Sequence, residues 1–123
     1  MKLYTMIACG SVPHSWLFRQ GYCVIHHCGF GTASASMIYG IPSIPIPHVL
    51  DQIGFAMQLY ELGVSTKPIQ AKELSQERIR EAILDMQQTY DEKKKRVEEL
   101  SRKLQEEDGL GKAVSLIQDV IGN

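Results

Sequence analysis

The chain has 123 residues, 44% of them hydrophobic and 22% charged, with a net charge of -1 at neutral pH. That length supports one domain with one core, which buries roughly two-thirds of its unfolded surface, and the composition is that of an ordinary globular protein. The near-zero charge offers no basic field for nucleic acid or an anionic membrane, and no run approaches the ~20 apolar residues that span a bilayer.

Taken in order, Leu3 to Ala8 reads as a first strand, its apolar run too short for a signal peptide. Val12-Pro13-His14-Ser15-Trp16-Leu17-Phe18 is a loop running into a short helical turn, with Trp16 either a core residue or a stacking platform. Tyr22 to His26 is a second strand, and Phe30 to Tyr39 a helix closed by Gly40 and Pro42. Ser43 to Pro47 is apolar but punctuated by Pro45 and Pro47. It suits a short parallel strand only if each proline lies where no ladder partner is needed, as at a sheet end. Asp51 to Leu62 follows as a helix, with Ile53, Met57 and Tyr60 on one face and Gly63 as its stop. Val64-Ser65-Thr66 is a last short strand. This rhythm predicts an α/β fold with a parallel sheet.

Beyond Pro68 the pattern turns helical. Ser75 caps a helix on which Ile79, Ala82, Ile83 and Met86 recur at helical spacing. Tyr90 to Glu107 is charged, with a thinner apolar line of Val97, Leu100 and Leu104, and reads as a solvated helix face. Glu98 with Arg102 and Glu99 with Lys103 stand in the favourable i,i+4 order. Asp108-Gly109 breaks the run, and Leu110, Ala113, Val114, Ile117 and Val120 form a final amphipathic helix. The three cysteines, Cys9, Cys23 and Cys28, have no framework spacing and read as reduced thiols of a cytoplasmic protein.

The chemistry concentrates in Val24-Ile25-His26-His27-Cys28-Gly29-Phe30-Gly31-Thr32. A β-branched run that delivers a tight glycine-containing turn to a helix start makes an anion site, because free N–H groups and the positive dipole end meet there. Gly29 and Gly31 let a ligand approach the backbone, Thr32 adds a hydroxyl and His27 a ring donor; the ligand expected is a diphosphate. The same glycines also suit a turn that serves packing alone. Two further chemistries can be drawn from His27-Cys28. A cysteine phosphatase loop needs an arginine where Ser34 stands, and serine cannot clamp a phosphoryl group bidentately. A metal site from His26, His27, Cys28 and His48 lacks the usual spacing, and adjacent strand residues point to opposite faces. Asp51-Gln52, at a strand-to-helix junction, could bind vicinal hydroxyls of a sugar, or Asp51 could simply cap its helix.

The set formed by Val12 to Phe18, His26 to Thr32, Gly40-Ile41-Pro42, Pro47, Asp51-Gln52 and Glu61-Leu62-Gly63-Val64 resembles the C-terminal, donor-binding half of family 1 glycosyltransferases with the GT-B fold. The flavour is that of the sterol glucosyltransferases and the bacterial antibiotic and glycolipid glycosyltransferases. The resemblance implies a partial Rossmann-like sheet of about four strands with a helical C-terminal tail, as one donor-binding domain over residues 1–123. It implies that His27, Thr32 and the backbone around Gly29 and Gly31 hold the diphosphate of a UDP- or dTDP-sugar. Val12, through its backbone, and His14 would face the base, and Asp51 and Gln52 the sugar hydroxyls. No metal is expected. The chain departs from the plant members at Ala35, where they carry a ribose-binding glutamate, and at Gly31, where they carry asparagine. The usual Pro-Arg after Trp-Leu-Phe is replaced by Arg19-Gln20.

In that family the acceptor and the catalytic base belong to an N-terminal domain, to which nothing in this sequence corresponds. The resemblance therefore assigns no catalytic residue here, and implies a fragment or a subunit that is inactive alone. The contrasting expectation is a scaffold without ligand. Its uncovered sheet edge would drive homo-oligomerisation or recruit a partner domain.

Overall fold

The computed structural model describes residues 14–106. The strand expected at 3–8, Val12 and the last helix expected at 110–120 lie outside the described residues. The elements are α1 (His14–Gln20), β1 (Val24–His26), α2 (Phe30–Ile38), β2 (Ser43–Pro45), α3 (Leu50–Glu61), a short 3-10 turn (Ala71–Glu73), α4 (Gln76–Gln88) and α5 (Tyr90–Glu106).

β1 and β2 pair in parallel, with Val24 opposite Ser43, Ile25 opposite Ile44 and His26 opposite Pro45. The last expected strand, Val64-Ser65-Thr66, shrinks to one bridge, Ser43 with Ser65. Of the about four strands expected, the one at 3–8 lies outside the described residues, and the others form two strands and a bridge; prolines supply the reason the last is so short. Ser43 donates to Val64 O and accepts from Thr66 N, as a parallel ladder should. The next rungs would need N–H groups from Pro45 and Pro68, which have none. The chain instead skips forward, so that Ile69 N reaches Pro45 O at 3.0 Å, and the Ser65 hydroxyl donates to the Thr66 carbonyl at 2.9 Å. Pro42, Pro45 and Pro47 are fully buried, and their carbonyls accept from Val24, Ile69 and Ala71. The prolines therefore lie inside the core, Pro45 as the last residue of β2 and Pro42 and Pro47 on either side of it.

The main core lies between α2, α3 and α5, where Cys28, Ala33, Met37, Ala56, Leu59, Val64 and Val97 are buried together. On α3 the buried stripe is Ala56 and Leu59, backed by Phe55 and Leu62. Met57 and Tyr60 are exposed, so the expected Ile53–Met57–Tyr60 face is not the core face. A second cluster joins Ile44 and Ile69 to Ala82 and Met86 of α4, and a third joins Phe18 of α1 to Ala35 and Ile41. Trp16, beside Phe18, is 58% exposed and forms no part of the core.

Helix ends follow the sequence closely. Ser75 accepts from Arg78 N at 3.1 Å as the α4 cap. Gly40 (φ 70°) and Gly63 (φ 80°) take the left-handed conformation that ends α2 and α3. The ion pairs on α5 differ from expectation: Glu98 pairs back to Lys94 at 3.5 Å and Glu99 to Arg96 at 3.8 Å. Lys93 reaches across to Asp85 of α4.

Candidate functional site

At the end of β1 the side-chain alternation separates the two histidines: His26 is buried and His27 is exposed. His26 spends both ring nitrogens inside the chain. Nδ1 accepts the Cys28 backbone N–H at 3.0 Å, so the proton sits on Nε2, which donates to Ser43 Oγ at 2.9 Å. Burial, helped by the neighbouring His27, pushes its pKa down to about 4, and the ring is neutral at physiological pH. Cys28 is bent into the left-handed region, φ 66°, and its N–H is turned inward onto that imidazole. The thiol is fully buried and burial pushes its pKa up to about 12. A thiol so placed is protonated at neutral pH and is no phosphatase nucleophile. Among the described residues no three His, Cys, Asp or Glu side chains gather as a metal site, and His26 is already engaged.

The inward turn at Cys28 starts α2. Gly29 is its N-cap, and the first helical bond runs from Ala33 N to Gly29 O at 2.9 Å. The N–H groups of Phe30, Gly31 and Thr32 precede that bond and are the free donors of the terminus. A side chain on Gly29 would meet His27 Nε2 at 2.8 Å, so the His27 ring lies directly against the start of α2. The φ of Gly29 is -62°, so glycine is required there for space and not for conformation. Over Gly31 a side chain would meet nothing within 4 Å, which leaves that side open to a ligand.

The β2–α3 turn supplies the other half. Gln52 turns its Oε1 back to accept from the backbone N–H of His48 at 2.8 Å and of Val49 at 3.3 Å, which fixes the entry to α3. Its amide NH2 remains as a donor. Val49, not Asp51, occupies the N-cap; Asp51 sits in the first turn, exposed, with no hydrogen bond or ion pair among the described residues. The turns meet through His27 and His48, whose rings stand edge to face at 74° with centroids 6.4 Å apart.

The structure therefore brings His27, Gly29, Gly31 and Thr32 to one helix start, and joins them through His48 to the turn carrying Asp51 and Gln52. Both turns follow the carboxyl ends of adjacent parallel strands, the usual ligand edge of an open α/β sheet. The backbone of His14 opens α1. Two residues outside the predicted site belong to its architecture. His26 positions the turn from within, and the strand alternation did not say which of the two histidines faces inward. His48 was signalled only by its place between Pro47 and Asp51 and as a candidate in the metal set. A cleft of about 390 Å³ lies elsewhere, lined by Pro47, Ile53, Met57, Thr66, Ile69 and Arg78 among others; His27, Thr32, Asp51 and Gln52 do not line it.

Residues 5–109 match the family described as Erythromycin biosynthesis protein CIII-like, C-terminal domain. The chain belongs to this family. It is a C-terminal GT-B domain of the family 1 glycosyltransferases, the part that in this family binds the nucleotide-sugar donor. This glycosyltransferase domain is 38% identical over 102 residues to a sterol 3-beta-glucosyltransferase of Arabidopsis thaliana, covering 83% of this chain and 16% of that protein. It is 35% identical over 108 residues to the sterol 3-beta-glucosyltransferase of Saccharomyces cerevisiae, covering 88% of this chain and 9% of that protein. The chain thus spans less than a fifth of the length of these relatives. The crystal structure of the kitacinnamycin glycosyltransferase superposes with a TM-score of 0.71 at 23% identity, over 90% of this chain and 28% of that one, a likeness of fold. No helix among the described residues is long and apolar enough to cross a membrane.

Proposed function

We propose that this glycosyltransferase domain grips a UDP- or dTDP-sugar through its diphosphate and its sugar, for transfer to an acceptor held by residues outside this sequence. The observation that carries the reading is the His27 ring lying against the Gly29 start of α2 and meeting, through His48, the turn that bears Asp51 and Gln52. His27 and the N–H groups of Phe30, Gly31 and Thr32 hold the diphosphate, where the helix dipole favours the negative charge that grows as the sugar departs. Thr32 adds its hydroxyl. Asp51 accepts from the sugar hydroxyls, and the Gln52 NH2 donates to them. By the family resemblance, Val12, through its backbone, and His14 would contact the base.

Family 1 glycosyltransferases of the GT-B type typically need no metal, and we assign the charge stabilisation here to His27 and the α2 start. The acceptor half, with the catalytic base, is a further domain or subunit, and the 123-residue chain has no transferase activity alone. It works in the cytoplasm, consistent with the free thiols of Cys23 and Cys28. Titration calorimetry of the chain with UDP, UDP-glucose and dTDP tests the reading. Saturable binding by the wild type and its loss in His27→Ala are expected; no binding to any of the three would end it.

A scaffold role is favoured by one observation, the half-exposed Ile25 on β1, a strand whose only partner among the described residues is β2. It is compatible with donor binding, and covering that edge with a second copy or a partner domain is part of the proposal.

A further inference from the structure

We propose that His48 is a second donor-contacting residue, its imidazole hydrogen-bonding the diphosphate from the side opposite His27. This rests on the donor-binding reading and adds to it a residue from the second turn. Three observations carry it. The two rings stand edge to face with centroids 6.4 Å apart, so a group seated against His27 at the start of α2 lies within reach of both. His48 is exposed, and its ring nitrogens have no hydrogen-bond partner among the described residues. Its backbone is nevertheless held, because Gln52 Oε1 accepts its N–H at 2.8 Å, so the ring is presented from a fixed point.

The chemistry selects the diphosphate over the sugar or the base. An imidazole N–H is a single directed donor, strengthened when the acceptor is anionic. A diphosphate offers oxygens on two linked phosphorus centres, enough for donors on two flanks. The helix N–H groups and His27 approach from β1 and α2, and His48 adds a side-chain donor from the β2–α3 turn. Gln52 is then doubly used, its oxygen fixing His48 and its nitrogen facing the sugar.

The alternative is that His48 only packs against His27 and steadies it. Two variants separate contact from packing: His48→Phe keeps an aromatic edge against His27 without an N–H, and His48→Gln restores a donor without the ring. The full chain is titrated with UDP by calorimetry and with uridine by NMR, and thermal unfolding confirms that each variant is folded. Contact predicts that His48→Phe weakens UDP binding about tenfold, leaves uridine binding unchanged, and is partly rescued in His48→Gln. UDP binding by His48→Phe equal to wild type overturns the inference and leaves donor binding standing. Equal losses for UDP and uridine overturn it in favour of packing. A wild type that does not bind UDP overturns the donor reading and this inference with it.

Discussion

His26 is the residue that makes the turn possible, and it does so by staying uncharged. Its Nδ1 holds the Cys28 N–H and its Nε2–H holds Ser43, so protonation would remove an acceptor that a left-handed, buried Cys28 depends on. The linkage has a definite sign. The folded pKa of about 4 lies below the ordinary 6.5, so the unfolded chain binds the extra proton between these values. The stability from His26 is fully present above pH 6.5 and drains away as the pH falls to 4, a loss of about 3 kcal/mol at most. Urea midpoints at steps from pH 7.5 to 4 should fall for the wild type across that window. His26→Phe should start less stable, with Cys28 N–H and Ser43 Oγ left unpaired, and show a flatter profile. An unchanged slope in the variant would assign the acid sensitivity to other groups. At this scale the sequence was legible in type and spacing: the strand, the turn and the helix start fall where the His-His-Cys-Gly pattern put them. The inward ring and the positive φ at Cys28 were not, because alternation fixes relative facing only and cysteine carries no left-handed signal. The role of Gly29 was also only half readable, since the space it leaves is filled by His27.

At the scale of elements, α5 does more than its charged sequence advertised. α2 and α3 each end in the paired bonds of a Schellman motif: Ile41 N to Ser36 O and Gly40 N to Met37 O, then Val64 N to Leu59 O and Gly63 N to Tyr60 O. The carbonyls left over are taken by α5. Ser101 and Gln105 donate to Ile38 O, Lys94 Nζ to Gly40 O at 2.7 Å, and Arg96 Nε to Leu62 O at 3.0 Å. Cations at these ends also complement the helix dipoles, whose positive ends are the two starts that form the site. Lys94→Ala should therefore cost about 1 kcal/mol, whereas Lys95→Ala, on the exposed side of the same helix, should change the urea midpoint little. Equal effects would mean that helix propensity, not the Gly40 carbonyl, is being measured. Periodicity found the apolar line of Val97, Leu100 and Leu104, and the terminal glycines Gly40 and Gly63 were read correctly as stops. What it could not show is that a run of lysines and arginines lies beside two carbonyl-rich helix ends, since that is set by tertiary packing. The core face of α3 is likewise set by packing. Ile53 and Met57 are more hydrophobic than Ala56, yet Ala56 is fully buried and the larger pair lines the cleft beside α4.

For the whole molecule, the site lies at the carboxyl edge of a sheet that has two strands among the described residues, and such a sheet is a weak platform by itself. Three or more strands are normally needed for independent stability, and prolines stop the third strand here after a single bridge. The helices compensate on the β2 side, where Ile44 is fully buried against Ile69 and Met86. On β1, Ile25 is 50% exposed although it sits mid-strand opposite fully buried Ile44. Among the described residues β1 pairs with β2 alone, and an exposed apolar residue on such a strand is a surface on which another chain or domain can be laid. Light scattering at two concentrations should therefore show a mass above 13.8 kDa that rises with concentration, and Ile25→Lys should shift it toward the monomer by placing a desolvated charge in the contact. The same variant should bind UDP as the wild type does, because Ile25 lies within β1, whereas the diphosphate is held beyond its end by His27 and the start of α2. A clean wild-type monomer at both concentrations would remove the assembly argument. Loss of UDP binding in an Ile25→Lys chain that still folds would instead mean that the donor site is completed only when that edge is covered, which couples assembly to the chemistry.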